Sequence, residues 1–93
     1  MALEKDVQAK ILKYLRKTYP QAVVYKLTET TNCGIPDIIF IHNKKVAFIE
    51  AKRPGGRVSR IQECVIRKIN SQGVIAEVVF SVENVKELLK EIC

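Results

Sequence analysis

The apolar positions of this chain switch between helical and strand spacing. Leu3, Val7, Ile11, Tyr14 and Leu15 recur at helical intervals, which predicts an amphipathic helix from about residue 3 to 18, stopping before Pro20. Lys10, Lys13 and Lys17 line another face of it. Ala22-Val23-Val24-Tyr25-Lys26-Leu27 predicts a strand, and a polar stretch from Thr28 to Cys33 follows. Asp37 to His42 and Lys45 to Lys52 are rich in β-branched and aromatic residues and too short for typical helices, so they predict two more strands. Ser59 and Gln62 match a capping box opening a helix that runs to about Ser71, with Gly73 as its stop. Val74 to Phe80 predicts a fourth strand, and Ser81 caps a closing helix with Val85, Leu88, Leu89 and Ile92 on its buried side. The element order is αβββαβα.

Only Asn43 and Lys44 separate the second and third strands. If the turn is symmetric about that pair, residues whose numbers sum to 87 face each other, and Asp37 meets Glu50. Asn-Lys lacks the glycine that a tight primed turn favours, and Lys44 resists positive φ. A four-residue loop over His42 to Lys45 keeps the same pairing, whereas an odd-length loop would put the two acids on opposite faces. In the symmetric register Ile39, Ile41, Val46 and Phe48 share the acids' face, and Ile38, Phe40, Ala47 and Ile49 fill the other. Both faces are apolar, so these strands are expected to be central and covered by helices on each side. The last strand returns through a helix, which implies parallel pairing. The expected fold class is therefore α/β, with a central mixed four-stranded sheet and helices on both faces.

Opposed residues of an antiparallel pair have Cβ atoms roughly 4.5 to 5.5 Å apart, a span one divalent cation can bridge. Lys52 points the same way as Glu50. Like charges on facing positions destabilise a strand pair, so something must offset the repulsion. A Mg²⁺ or Mn²⁺ ion does so, because these hard cations take oxygen ligands and keep water positions open for a substrate phosphate. In the alternative reading Asp37 and Glu50 are solvated strand ends with Lys52 as their ion-pair partner. Gly34 can take positive φ and Pro36 fixes φ, which together steer the chain sharply into the strand at Asp37. Beyond Lys52, Arg53-Pro54-Gly55-Gly56-Arg57 is a loop with a positive charge at each end, suited to a phosphate backbone.

Ninety-three residues, 47% of them apolar, are enough for one modest core and for a single domain spanning residues 1–93. The net charge of +6 favours a polyanionic partner, with nucleic acid the leading class. Cys33, Cys64 and Cys93 are odd in number and widely spaced, which points to neither a zinc site nor a disulfide framework. Neither a signal-peptide core nor an apolar run of membrane-spanning length is present, so a reducing cytoplasm is expected and no membrane. His42, alone beside the turn, reads as a polar edge residue.

The order αβββαβ, with Pro36-Asp37 opening one strand and Glu50-x-Lys52 closing the next, resembles the PD-(D/E)XK nuclease superfamily, whose core is restriction-endonuclease-like. Within it, Gly34-Ile35-Pro36-Asp37, Glu50-Ala51-Lys52, Gln62 and an early helical Glu4 look like the VRR-NUC family of virus-type replication and repair nucleases. The resemblance covers nearly the whole chain. It implies that Asp37, Glu50 and the backbone carbonyl of Ala51 hold Mg²⁺ (or Mn²⁺), and that Lys52 orients the attacking water and stabilises charge on the phosphate. It also implies that Gln62 positions Lys52 or a phosphate, and that Glu4 reaches the metal through water. Gln62 as a capping residue and Glu4 as a first-turn acid favoured by the helix dipole stand beside those roles. Arg53, Arg57, Arg60, Arg67 and Lys68 follow the site and are the candidates for backbone contacts with DNA. No base-reading helix is evident, so structure-selective binding of branched DNA, a Holliday junction or a flap, is expected. Standalone members of the family resemble Holliday-junction resolvases in forming homodimers, and the resemblance implies the same here, with a bacterial or viral source. A non-catalytic nucleic-acid-binding module with the same basic surface is the alternative.

Overall fold

The computed structural model of the chain describes residues 3–28 and 34–92. Its elements are α1 (Glu4–Thr18), β1 (Val23–Lys26), β2 (Ile38–His42), β3 (Lys45–Ala51), α2 (Arg60–Ser71), β4 (Ile75–Val79) and α3 (Val82–Lys90), the order expected. Much of the polar stretch before Gly34, with Cys33, lies outside the described residues, as does Cys93; Cys64 is a free, exposed thiol.

One sheet orders the strands β1-β2-β3-β4. β1 and β2 run antiparallel, as do β2 and β3, while β4 joins β3 in parallel after the α2 crossover, so the sheet is mixed. The β2–β3 register follows the sum rule, from Ile38 opposite Ile49 to His42 opposite Lys45. The connection is the two-residue turn: Asn43 (φ 49°) and Lys44 (φ 67°) both take the left-handed conformation that was expected to resist lysine. A primed turn matches the twist of the flanking strands, and pairing along β2 and β3 outweighs a local cost of about 1–2 kcal/mol at Lys44.

The core occupies one face of the sheet. Ile38, Phe40, Ala47, Ile49, Ala51 and Val79 pack there beneath Val7, Ile11, Leu12 and Leu15 of α1 and Val85, Leu88, Leu89 and Ile92 near and within α3. Tyr19 closes it edge-on to Phe40, and half-buried His42 lies against both rings rather than on a polar edge. The other face is where expectation and structure part. α2 packs against β4, yet none of its residues is buried, and Ile39, Ile41, Val46 and Phe48 are only half-buried. Helices do lie on both faces, but the second layer is a single helix set toward one edge of the sheet.

That edge is closed by amides. Asn70, near the end of α2, donates to the Ala76 carbonyl (3.2 Å) and accepts from its N–H (2.9 Å), and Asn84 of α3 accepts from the Phe80 N–H (2.9 Å). Backbone groups of β4 that would otherwise invite another strand are thereby tied up.

Candidate active site

The site forms at the end of the sheet where the first turns of α1 and α2 converge. Asp37 sits in the bend that enters β2, one position before the paired stretch, and continuing the register sets it opposite Glu50. Its Oδ1 accepts from the Ala51 N–H at 3.1 Å, which ties the bend to the end of β3. The Leu27 N–H donates to the Asp37 carbonyl at 2.7 Å, tying the same bend to β1. Glu50 is 3% exposed and Lys52 8%, the two buried charged residues among those described. Lys52 Nζ lies 3.4 Å from Glu50 Oε2 and 3.7 Å from Glu4 Oε1, so the ammonium stands between an acid of β3 and an acid of α1.

Gln62 resolves two roles that compete on paper. Its Oε1 accepts from the Ser59 N–H, and its backbone N–H donates to the Ser59 hydroxyl oxygen, completing the capping box, each at 3.1 Å. Its Nε2 donates to Glu50 Oε2 at 3.1 Å. A carboxamide has an acceptor end and a donor end, and here each serves one task. Gln62 therefore touches Glu50 directly rather than Lys52.

Gln8 was not legible from the motifs. Half-buried on α1, it hydrogen-bonds the Asp37 carboxylate. The signal was its spacing: four residues after Glu4, it lies on the same side of the helix one turn further in. Glu4 and Gln8 thus bring α1 to Lys52 and Asp37 respectively.

The electrostatics are unfavourable to two ionised acids. Burial raises the Asp37 pKa, against the opposing effects of the Ala51 and Gln8 hydrogen bonds and the Lys52 charge. Glu50 is pushed up to about 7, chiefly by burial and next by the charge of Asp37, with Lys52 pulling the other way. One lysine does not neutralise the pair. Among the described residues no group of three or more His, Cys, Asp or Glu side chains is gathered to hold a metal ion. Two carboxylates that repel each other, beside backbone carbonyls, fit a hard divalent cation that retains several waters better than zinc, which favours histidine and cysteine ligands.

The predicted DNA contacts are all exposed. Arg53 and Arg57 lie in the loop after β3 and Arg60 opens α2, close in sequence to Lys52 and Gln62. Arg67 and Lys68 lie further along α2, and Arg67 has Glu63 at 3.9 Å. Among the described residues no helix is long and apolar enough to cross a membrane.

Gly34 holds the two halves of the site together. Its φ is +77°, and a Cβ there would fall 2.6 Å from Ile61 Cγ2 and 2.9 Å from the Ile61 backbone carbon and oxygen. The bend carrying Asp37 thus rests directly on the first turn of α2, next to the residue that holds Glu50. Gly34→Ala is expected to push that turn away, lowering stability by about 1–3 kcal/mol, read by thermal unfolding. Unchanged stability would refute the coupling.

A four-stranded mixed sheet in αβββαβα order, with two acids and a lysine at its end, defines a nuclease-like domain of the restriction-endonuclease fold. The description "VRR-NUC domain" matches residues 2–83, and the chain belongs to that family. Two solved structures have the same fold. A "VRR_NUC domain" is 20% identical with a TM-score of 0.74, over 91% of this chain and 96% of the other. A "VRR_NUC domain protein" is 17% identical with a TM-score of 0.76, over 96% and 86% respectively. No curated protein matches the chain.

Proposed function

We propose that the chain is a Mg²⁺- or Mn²⁺-dependent endonuclease that hydrolyses phosphodiester bonds in branched DNA during replication, recombination or repair. The observation that carries this reading is the closed set at the sheet's end: Glu50 at 3% exposure held by Gln62 Nε2 at 3.1 Å and Lys52 Nζ at 3.4 Å, with the Asp37 carboxylate tied to the next residue of that strand through the Ala51 N–H at 3.1 Å. A structural ion pair does not call for a second carboxylate that raises the pKa of the first.

Asp37, Glu50 and the carbonyl of Ala51 would hold the cation, which supplies polarisation of the phosphate and a bound water of lowered pKa. Gln62 fixes the Glu50 rotamer, and the Ala51 N–H and Gln8 fix Asp37. Lys52 donates toward the attacking water and the charge that develops on the phosphate. Glu4 draws on the same ammonium and keeps it oriented. Arg53, Arg57, Arg60, Arg67 and Lys68 hold the DNA backbone, and a two-fold homodimer would offer two sites to a four-way junction.

The test is cleavage of labelled Holliday junctions, flaps and plain duplex with Mg²⁺, Mn²⁺ or EDTA, beside Asp37→Ala. Cleavage is expected to need the cation and to fall at least about 10³-fold in the variant while DNA binding survives. Full cleavage by Asp37→Ala would sink the proposal. Metal-independent binding with no cleavage of any substrate would instead establish the non-catalytic nucleic-acid-binding module.

A further inference from the structure

Three large apolar side chains stand uncovered around the acids. Tyr25 is 63% exposed, Ile61 46% and Ile35 43%. Tyr25 pairs with Ile39, and paired residues share a face, so Tyr25 lies on the side of the sheet that carries Asp37 and Glu50. It is two residues before Leu27, which bonds the Asp37 carbonyl. Ile61 immediately precedes Gln62 and closes on Gly34, the neighbour of Ile35. Single exposed apolar residues need no explanation, but three around one polar site form a patch. Arg53, Arg57 and Arg60 follow the site in sequence and are exposed.

An apolar rim set in positive charge beside a phosphodiester site suits one occupant. Paired duplex presents phosphates and sugars outward and keeps its base faces in the stack, so it has no base face to offer Tyr25 or the isoleucines. An unpaired base has a free π-face, which stacks on an aromatic ring, and apolar side chains can wedge an opened step. A second copy of the chain is the weaker occupant. An isologous contact sets a patch against itself, which would bring Arg57 and Arg60 toward their own like charges.

We infer that Tyr25, with Ile35 and Ile61, forms a nucleobase-binding rim, so that the substrate is DNA with unpaired bases beside the phosphate held at Asp37 and Glu50. This rests on the nuclease reading above and supplies its structural selectivity, since the rim is filled only where bases leave the stack.

The test uses flapped DNA carrying 2-aminopurine at an unpaired position beside the branch, bound by chains that all carry Asp37→Asn so that the DNA stays intact. Quenching of the probe is expected with Tyr25 and with Tyr25→Phe, and its loss with Tyr25→Ala. The affinity ratio of flapped DNA to paired duplex is expected to fall roughly tenfold in Tyr25→Ala, and further when Ile61→Ser is added. Quenching and ratio that ignore Tyr25→Ala would overturn the rim. So would light scattering in which Tyr25→Ala turns a dimer into a monomer, which would assign the face to a second copy. Binding is read on uncut DNA, so the two proposals fail separately. Cleavage by the unmodified chain without Tyr25-dependent quenching removes the rim alone; Tyr25-dependent quenching without cleavage upholds the rim and removes the nuclease.

Discussion

Lys52→Met is expected to abolish detectable cleavage, a loss of about 10²-fold or more, and to destabilise the metal-free protein by about 2–4 kcal/mol at pH 8 but far less at pH 5. The two effects have one source. Lys52 is 8% exposed and stands between Glu50 and Glu4, at 3.4 and 3.7 Å. Methionine fills similar space without charge, so the loss is electrostatic rather than a cavity. Glu50, at 3% exposure, is then left without its nearby cation, and a buried unpaired carboxylate escapes the cost only by taking up a proton. At pH 5 it is protonated in the folded state and little is lost; at pH 8 the folded chain must either ionise it or hold a proton against the solvent. Glu4, whose side chain is 47% exposed, contributes little of this, because water already solvates it. Urea unfolding in EDTA at the two pH values, beside single-turnover cleavage with Mg²⁺, measures both effects. Equal destabilisation at pH 5 and pH 8 would show that Lys52 serves packing and not the acids.

Much of this arrangement was readable before any coordinates. The pairing of β2 with β3 followed from two residues between two apolar runs, because an even, symmetric turn leaves only one register that keeps the hydrophobic sets aligned. Helix ends followed from Ser59, Gln62, Gly73 and Ser81, whose capping chemistry is local. What sequence did not disclose depends on how elements sit on one another. Gln8 joins Asp37 only because α1 crosses the end of the sheet at that angle, and nothing in the residues from 4 to 8 specifies the crossing. The helices expected to cover both faces of the sheet do so unequally: none of the residues of α2 is buried, because the crossover from β3 to β4 holds that helix toward β4. Lys44 takes positive φ because strand pairing on both sides leaves it no other path. The contact of Gly34 with Ile61 likewise joins residues far apart in sequence, and a glycine read as a turn former turns out to be needed for close approach as well.

The metal-free protein is expected to lose stability as pH rises, the reverse of the usual behaviour of a paired carboxylate. Glu50 has a folded-state pKa pushed up to about 7 against an ordinary value of 4.5, and Asp37 is shifted in the same direction. Between those values the folded chain binds more protons than the unfolded one, so stability falls with pH. The contribution is complete below about pH 4.5 and is lost as pH passes through about 7, a swing of roughly 3 kcal/mol for Glu50. Glu50→Gln should remove most of that slope. Its amide oxygen can still accept from Gln62 Nε2, and Lys52 keeps Glu4. In EDTA the variant should therefore be the more stable protein at pH 8, by about 1–3 kcal/mol, and catalytically dead. Mg²⁺ should raise the stability of the unmodified chain most at pH 8, where both acids are ready to bind it, and leave Glu50→Gln nearly unmoved. Denaturation midpoints across pH 4 to 9, with and without Mg²⁺, decide the matter. A profile that rises through neutrality in EDTA would mean that the two acids are satisfied without a cation, and would remove the physical reason for placing one between them.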